Sequence, residues 1–325
     1  MTTLREMLKA ASRTFALGIE RLPGVLSDAV MVAYLLLRVS DYLEDNEKMT
    51  AEQKVALLKL WDQVLAGEAD VRQLTSQVNC DADTDNPDAL VAQHAEDVLN
   101  RLRSLPPEVQ EPIVSNVRES TLGMARWVAR GPKVGDEADM DDYMHEVAGR
   151  VGYLLTQLFA WYSLTIRLHK DALMPLAREF GLALQTVNVI RGLREDYDRG
   201  WIFVPESFCA AVNISRDQLF QPEHRAAAMK VLDMLADKAE RHLRAALAYL
   251  KALPLWQHNI RLFCMFPLMF AVRTLAISRR NHQVLDSEAK ITREEVKQIV
   301  RDSTLWGWSN LWLDHYYRQL SAVGD

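Results

Sequence analysis

The sequence predicts an all-α protein, a single-domain helical bundle around a central apolar cavity, and three observations carry that expectation. Apolar residues recur every three or four positions along nearly the whole chain. No sustained alternation of apolar and polar residues marks a strand. Only 13 glycines and 11 prolines interrupt 325 residues, which leaves long stretches without a helix breaker. No repeat at solenoid spacing and no linker rich in Pro, Gly or Ser divides the chain, so one domain over 1–325 is expected.

The elements follow in order. A first helix is expected over 4–19, stopping before Leu22-Pro23-Gly24. Ser27 or Asp28 is placed to cap the next helix, which runs to Asp45, because a short oxygen-bearing side chain accepts from free N–H groups. Thr50 and Gln53 form a capping-box pattern that opens a helix to about Ala66. Residues 78–88 read as an acidic surface loop, without the glycine and terminal glutamate of an EF-hand calcium loop.

Helices are expected at 88–104, 107–129, 139–168 and 171–199. An extended aromatic segment, Arg199-Gly-Trp-Ile-Phe-Val-Pro205, then breaks the pattern. Ser215 and Gln218 form another capping box, 224–252 reads as one long helix, and Pro267 predicts a kink in the apolar run 260–277. Thr292 and Glu295 open the last helices, which carry Trp306, Trp308, Trp312, Tyr316 and Tyr317. That aromatic set reads as core, as an interface, or as an anchor at a membrane surface. Ala148, Gly149 and Gly152 allow either close helix packing or room for a substrate.

Composition narrows the function classes. A formal net charge of −6 argues against a nucleic-acid partner, because phosphate-backbone binding draws on a basic field. Cys80, Cys209 and Cys264 lie too far apart for a CxxC zinc pair or a disulfide framework, which suits a reducing, cytoplasmic setting. The first residues carry charges where a signal peptide needs an apolar core. The runs 29–37 and 262–272 are too short to span a bilayer and read as buried helices.

Two acidic stripes carry the chemistry. Asp41 and Asp45 project from one helical face, which Arg38 and Tyr34 continue toward the N-terminus, with Glu44 beside them. Carboxylates one turn apart suit Mg²⁺, which prefers hard oxygen ligands and is commonly completed by substrate phosphate. On a second helix, Asn188 and Glu195 lie within about 20° of each other, flanked by Arg191 and Asp196. Two such helices suggest a metal-diphosphate site at one end of an apolar interior, where neutralising a diphosphate makes it a better leaving group. The allylic cation left behind needs exclusion of water and aromatic faces. No Ser-His-Asp order, P-loop or dinucleotide fingerprint competes, and neither helix has the Glu-x-x-His pairs of a di-iron bundle.

Ser12-Arg-Thr-Phe-Ala16, Arg38-x-x-Asp41-x-x-Glu44-Asp45, Tyr143-Met-His-Glu-Val-Ala-Gly149 with Gly152, and Asn188-x-x-Arg191 through Asp196 occur in this order. Together they resemble the successive motifs of the squalene/phytoene synthases, all-α isoprenoid synthases that join two prenyl diphosphates head to head. Residues 38–45 and Phe263, Cys264 and Pro267 are more similar to the squalene branch, with weaker support from Gln283-Val284 and Lys290-Ile291.

The resemblance implies two farnesyl diphosphates as substrate, Mg²⁺ and NADPH as cofactors, and an oily product for which peripheral membrane contact is expected. It also implies roles. Asp41, Glu44 and Asp45 match the first metal site; Asn188 and Asp196 match the second, where Glu195 on the same stripe is expected to compensate for the acid missing at 192. Ser12, Arg13, Phe15, Arg38, Asn188 and Arg191 match substrate contacts, and Tyr34, Tyr143 and Arg191 the reaction centre. Two positions depart from the pattern: Gly192 stands where an aspartate usually follows the arginine, and Glu146 where squalene synthases carry a second tyrosine.

Overall fold

The computed structural model describes residues 3–78 and 86–322, apart from the side chain of Arg13. The expected diphosphate contact of Arg13, Cys80 and most of the acidic loop therefore lie outside the described residues. No strand occurs among those that are described.

In chain order the first helices are α1 (Leu4–Ala11), α2 (Arg13–Ile19), α3 (Gly24–Asp45), α4 (Ala51–Ala66) and α5 (Val71–Thr75), followed by α6 (Pro87–Gln93), α7 (Ala95–Arg103) and α8 (Pro107–Arg130). Then come α9 (Glu137–Met144), a π-helical turn (His145–Gly149), α10 (Arg150–Tyr162), α11 (Leu164–Leu168) and α12 (Lys170–Arg191). The chain continues through α13 (Leu193–Asp198), α14 (Glu206–Ala210), α15 (Arg225–Ala252), α16 (His258–Ser278), α17 (Arg293–Trp306) and α18 (Asn310–Ser321). These group into two compact units, one of residues 1–131 and 153–170, the other of 132–152 and 171–325.

Several expected helices are divided, each for a local reason. Ser12 adopts extended backbone and accepts the Phe15 N–H on Oγ at 3.2 Å, so α1 and α2 replace one helix over 4–19. Ser163 caps α11 in the same way and ends α10. Gly192, at φ −96° and ψ 11°, parts α12 from α13. α3 begins at Gly24, with Pro23 as its N-cap, rather than at Ser27 or Asp28. Ser27 instead donates to Ile19 O at 2.8 Å, and Asp28 accepts from Arg101 at 2.5 Å. The capping boxes at Thr50, Ser215 and Thr292 form as expected, although the one at Ser215 opens only a 3-10 turn. α16 runs through Pro267 without a break.

In the first unit, α3 is the axis. Leu26, Ala29, Val32, Leu35, Leu36, Val39 and Leu43 are fully buried, and α4, α6, α7 and α8 pack around it. Each fully buried leucine contributes about 1.5–3 kcal/mol, so the helix is anchored over most of its length. The buried hydroxyls of Ser40 and Thr121 share a hydrogen bond at 2.7 Å, tying α3 to α8. With its apolar length fixed, α3 can hold carboxylates at its C-terminal end.

In the second unit, α16 is buried nearly all round and packs against α15, α17 and α18. It is long and apolar enough to cross a membrane, a correction to the short run expected there, yet 83% of its most apolar stretch is buried, as in a core helix. Close backbone approach seats α12. A Cβ on Gly152 would lie 2.0 Å from Ala177 O, and one on Gly181 2.2 Å from Ala148 O. The small residues of 148–152 therefore serve helix packing rather than space for a substrate. Buried Lys238 pairs with Glu137 and Asp141, and His242 with Glu179 at 2.5 Å, fastening α15 to α9 and α12.

Candidate active site

The first acidic stripe closes α3. Arg38 donates to Asp88 through two parallel bonds, Nε to Oδ1 at 3.0 Å and Nη2 to Oδ2 at 2.6 Å, while Nη1 lies 3.3 Å from Asp41 Oδ2. Burial works against the Arg38 charge, but Asp41 and Asp88 outweigh it and raise its pKa. Asp41 has the reverse problem. Burial, reinforced by Asp45 and Asp88 and opposed by Arg38, pushes its carboxyl up to about 6. Glu44 is raised as well, by burial and by Asp45 and Asp41. Arg38 at Asp41 and Lys54 at Glu44 thus offset the effect of burial and neighbouring acids only in part.

Tyr34 lies one turn before Arg38, with its ring centroid 5.9 Å from the guanidinium carbon and 5.7 Å from the ring of Phe15. Burial raises its phenol pKa; Arg38 and a hydrogen bond with Ser12 pull the other way. The structure therefore gathers Ser12, Phe15, Tyr34, Arg38 and Asp41. It also adds Asp88, which the sequence places where the acidic loop meets the helix expected from 88, with no role at the site. Asn86 caps α6 and Pro87 takes its first position, which fixes Asp88 in the first turn.

The second stripe is arranged differently. Asn188 and Glu195 are exposed, whereas Asp196 is buried and accepts a short hydrogen bond from Arg199. Arg191 Nε lies 2.9 Å from Glu288 Oε1, a partner from a distant segment that no local pattern indicated. Gly192 sits between the two helical pieces; a Cβ there would lie 3.3 Å from Asn188 O and 3.8 Å from Asp196 Oδ2. Any larger residue at 192 must move that carbonyl by a few tenths of an ångström.

Tyr143 is buried and stacks on Phe203, with ring centroids 4.6 Å apart, and Phe203 stacks on Trp201 at 5.6 Å. The extended aromatic segment thus supports the tyrosine. Glu146 falls in the π-helical turn, a feature frequent at functional sites, and accepts from Arg150 Nε at 2.5 Å. The departure from tyrosine at 146 is accommodated as an ion pair one turn along the helix.

The described residues fit Mg²⁺. No three His, Cys, Asp or Glu side chains converge among them as a ready cation cage, and Mg²⁺ requires none, since one or two carboxylates with substrate phosphate and water suffice. Asp41 and Asp45, one turn apart at the end of α3, supply hard oxygen donors, and burial leaves the Asp41 charge only partly offset by Arg38.

The pattern of squalene/phytoene synthase matches residues 8–295. The chain belongs to the squalene/phytoene synthase family. It is a prenyltransferase. The human squalene synthase is 29% identical over 308 residues, covering 94% of this chain and 70% of the relative. The Bos taurus squalene synthase is 30% identical with the same coverage. Among solved structures, TcSQS with a bound ligand superposes with a TM-score of 0.84 at 25% identity, covering 98% of this chain and 90% of that one. A dehydrosqualene synthase with a ligand shares the fold, at a TM-score of 0.65 and 18% identity.

Proposed function

We propose that the chain is a squalene synthase, which couples two farnesyl diphosphates to presqualene diphosphate and reduces that product to squalene with NADPH. The observation that carries this reading is the acid cluster at the end of α3. Asp41 is raised to about 6 beside Glu44 and Asp45, in a chain similar to squalene synthases over nearly its whole length. NADPH as reductant and farnesyl diphosphate as substrate are supported by that similarity.

Asp41, Glu44 and Asp45 would hold Mg²⁺ at the first motif, and Asn188, Glu195 and Asp196 at the second. When bound, Mg²⁺ supplies Lewis-acid neutralisation of a diphosphate leaving group. The chain's own cations add to this. Arg13, Arg38 and Arg191 make charge-assisted bonds to diphosphate oxygens, for which Arg38 gives up Asp88 and Arg191 gives up Glu288. Ser12 and Phe15 position the first substrate. Tyr34 in the first unit and Tyr143 in the second would each offer an aromatic face to an allylic cation; Tyr143 is buried and Tyr34 half-buried.

A second reading is motivated by Glu146. An ion pair with Arg150 stands where squalene synthases have a tyrosine, and the reaction then stops at presqualene diphosphate or ends in a hydrated or phytoene-type product without reduction. Incubation with farnesyl diphosphate and Mg²⁺, with and without NADPH, followed by mass analysis, separates the two. Squalene appearing only with NADPH is the expected result. Identical products in both arms would establish the second reading, and no diphosphate release in either arm would leave a binding protein without catalysis.

A further inference from the structure

Two turns of the second unit, 253–257 between α15 and α16 and 307–309 between α17 and α18, are locked side by side by one buried arginine. Arg261 is fully buried and donates through Nη1 to Leu250 O and Leu253 O, both at 2.8 Å. Through Nη2 it reaches Gly307 O at 3.3 Å and Asn310 Oδ1 at 2.7 Å. Asn310 Nδ2 donates to Lys251 O at 3.2 Å, and the His258 ring bonds Thr304 O at the same distance. Gly307 allows the second turn to sit directly on α16, since a Cβ there would lie 2.5 Å from Met265 Cε.

This fixed platform exposes an apolar set. Trp256 is 72% exposed, Trp306 52%, Trp308 55% and Leu311 83%, with Leu255 and Leu305 beside them. A quarter of the chain is charged, yet 252–260 and 303–313 contain no Lys, Arg, Asp or Glu. Such a patch calls for an occupant, because contiguous exposed apolar surface on a soluble fold marks an interaction site.

We propose that the paired turns dock on a lipid bilayer, with Trp256, Trp306 and Trp308 as anchors. Indole rings partition to the headgroup boundary, where one end of the ring is apolar and the other wet. The Trp308 N–H is already satisfied by Leu305 O at 3.1 Å, so that ring enters an apolar layer without stranding a donor. On a chain of net charge −6, an apolar set bordered by the mutually neutralised Lys251–Asp314 pair meets little repulsion from anionic headgroups. A second copy of the chain fits less well, because six exposed side chains fall short of the roughly 20–30 residues a side of a standard protein interface. The surface gives a place to the membrane contact expected of an enzyme that releases a hydrocarbon. It rests on the proposed reaction for its purpose, not for its geometry.

The test is sedimentation of the full chain with sucrose-loaded phosphatidylcholine vesicles, with and without phosphatidylserine. The wild-type chain is expected to sediment with lipid, and Trp256→Ser with Trp308→Ser to weaken partitioning by about tenfold or more. Leu168→Ser removes an equally exposed apolar side chain of the first unit and should bind as wild type. Diphosphate release in a lipid-free assay should be unchanged in both variants, so failure of the docking and failure of the reaction are told apart. Quenching of the wild-type tryptophans by dibrominated phosphatidylcholine serves should the double variant fail to fold. A wild-type chain that stays in the supernatant at every lipid concentration, equal binding by the double variant, no quenching, or concentration-dependent dimerisation through the same tryptophans without lipid would overturn the proposal.

Discussion

The end of α3 and the junction of α12 and α13 carry similar residue types and differ in electrostatic balance. At α3, Arg38 pairs with Asp88 and lies near Asp41 while Lys54 opposes the charge on Glu44, and burial with mutual repulsion still raises the pKa of Asp41 and Glu44. At α12 and α13, Asp196 is matched by Arg199 and Arg191 by Glu288, so each named charge has a counter-charge within reach. In the first region Arg38 and Lys54 do not bring Asp41 or Glu44 back to the ordinary carboxylate range. The second exchanges partners rather than acquiring charge. Metal dependence should therefore be concentrated at the first, and substrate orientation at the second.

The largest expected effect follows from Asp41. Asp41→Ala should lower kcat by about 10²–10³-fold, the range for losing one preorganised electrostatic group, measured as diphosphate release at saturating farnesyl diphosphate. Asp196→Ala should cost less, about tenfold, with a larger share in KM, because Arg199 and Asn188 remain. An Asp196→Ala enzyme with unchanged activity and metal requirement would mean that the second motif has been misplaced.

The next prediction concerns what holds the second region. Gly152→Ala places a methyl group against the Ala177 carbonyl and should destabilise the fold by about 1–3 kcal/mol, read from urea unfolding. A neutral result would mean that α12 is not seated by close approach to 148–152, and that its register does not position Asn188.

The smallest effect is in the pH dependence of stability. Asp41 has a higher pKa folded, about 6, than its ordinary 3.8, so the folded chain binds the extra proton between those values. Stability contributed by that proton is present at low pH and is lost as pH rises through about 6. The metal-free chain should therefore melt at a lower temperature at pH 7 than at pH 5. Asp41→Asn should flatten that difference and raise stability at pH 7 by about 1–3 kcal/mol. A wild-type melting temperature that rises from pH 5 to pH 7, in step with the variant's, would contradict the crowding of acids at α3.

The residues explain what could be read in advance. The helical period and the scarcity of breakers made the all-α fold legible, and the one-turn spacing of Asp41 and Asp45 placed both on α3. The divisions at Ser12, Ser163 and Gly192 were not legible, because each depends on a single residue competing with a helix that its neighbours favour. Asp88 and Glu288 were missed for another reason. They meet Arg38 and Arg191 across 50 and 97 positions, and helical spacing reports only neighbours within a turn or two. Gly152 was visible as a small residue, but only the position of the Ala177 carbonyl distinguished packing from open space.

The Mg²⁺ dependence of diphosphate release, measured in parallel for the wild-type chain, Asp41→Asn and Asp196→Asn, tests the contrast between the two regions most directly. The imbalance at α3 predicts that Asp41→Asn raises the Mg²⁺ concentration for half-maximal rate by about tenfold or more, with a much smaller shift for Asp196→Asn. Equal shifts in the two variants, or a larger one for Asp196→Asn, would contradict it.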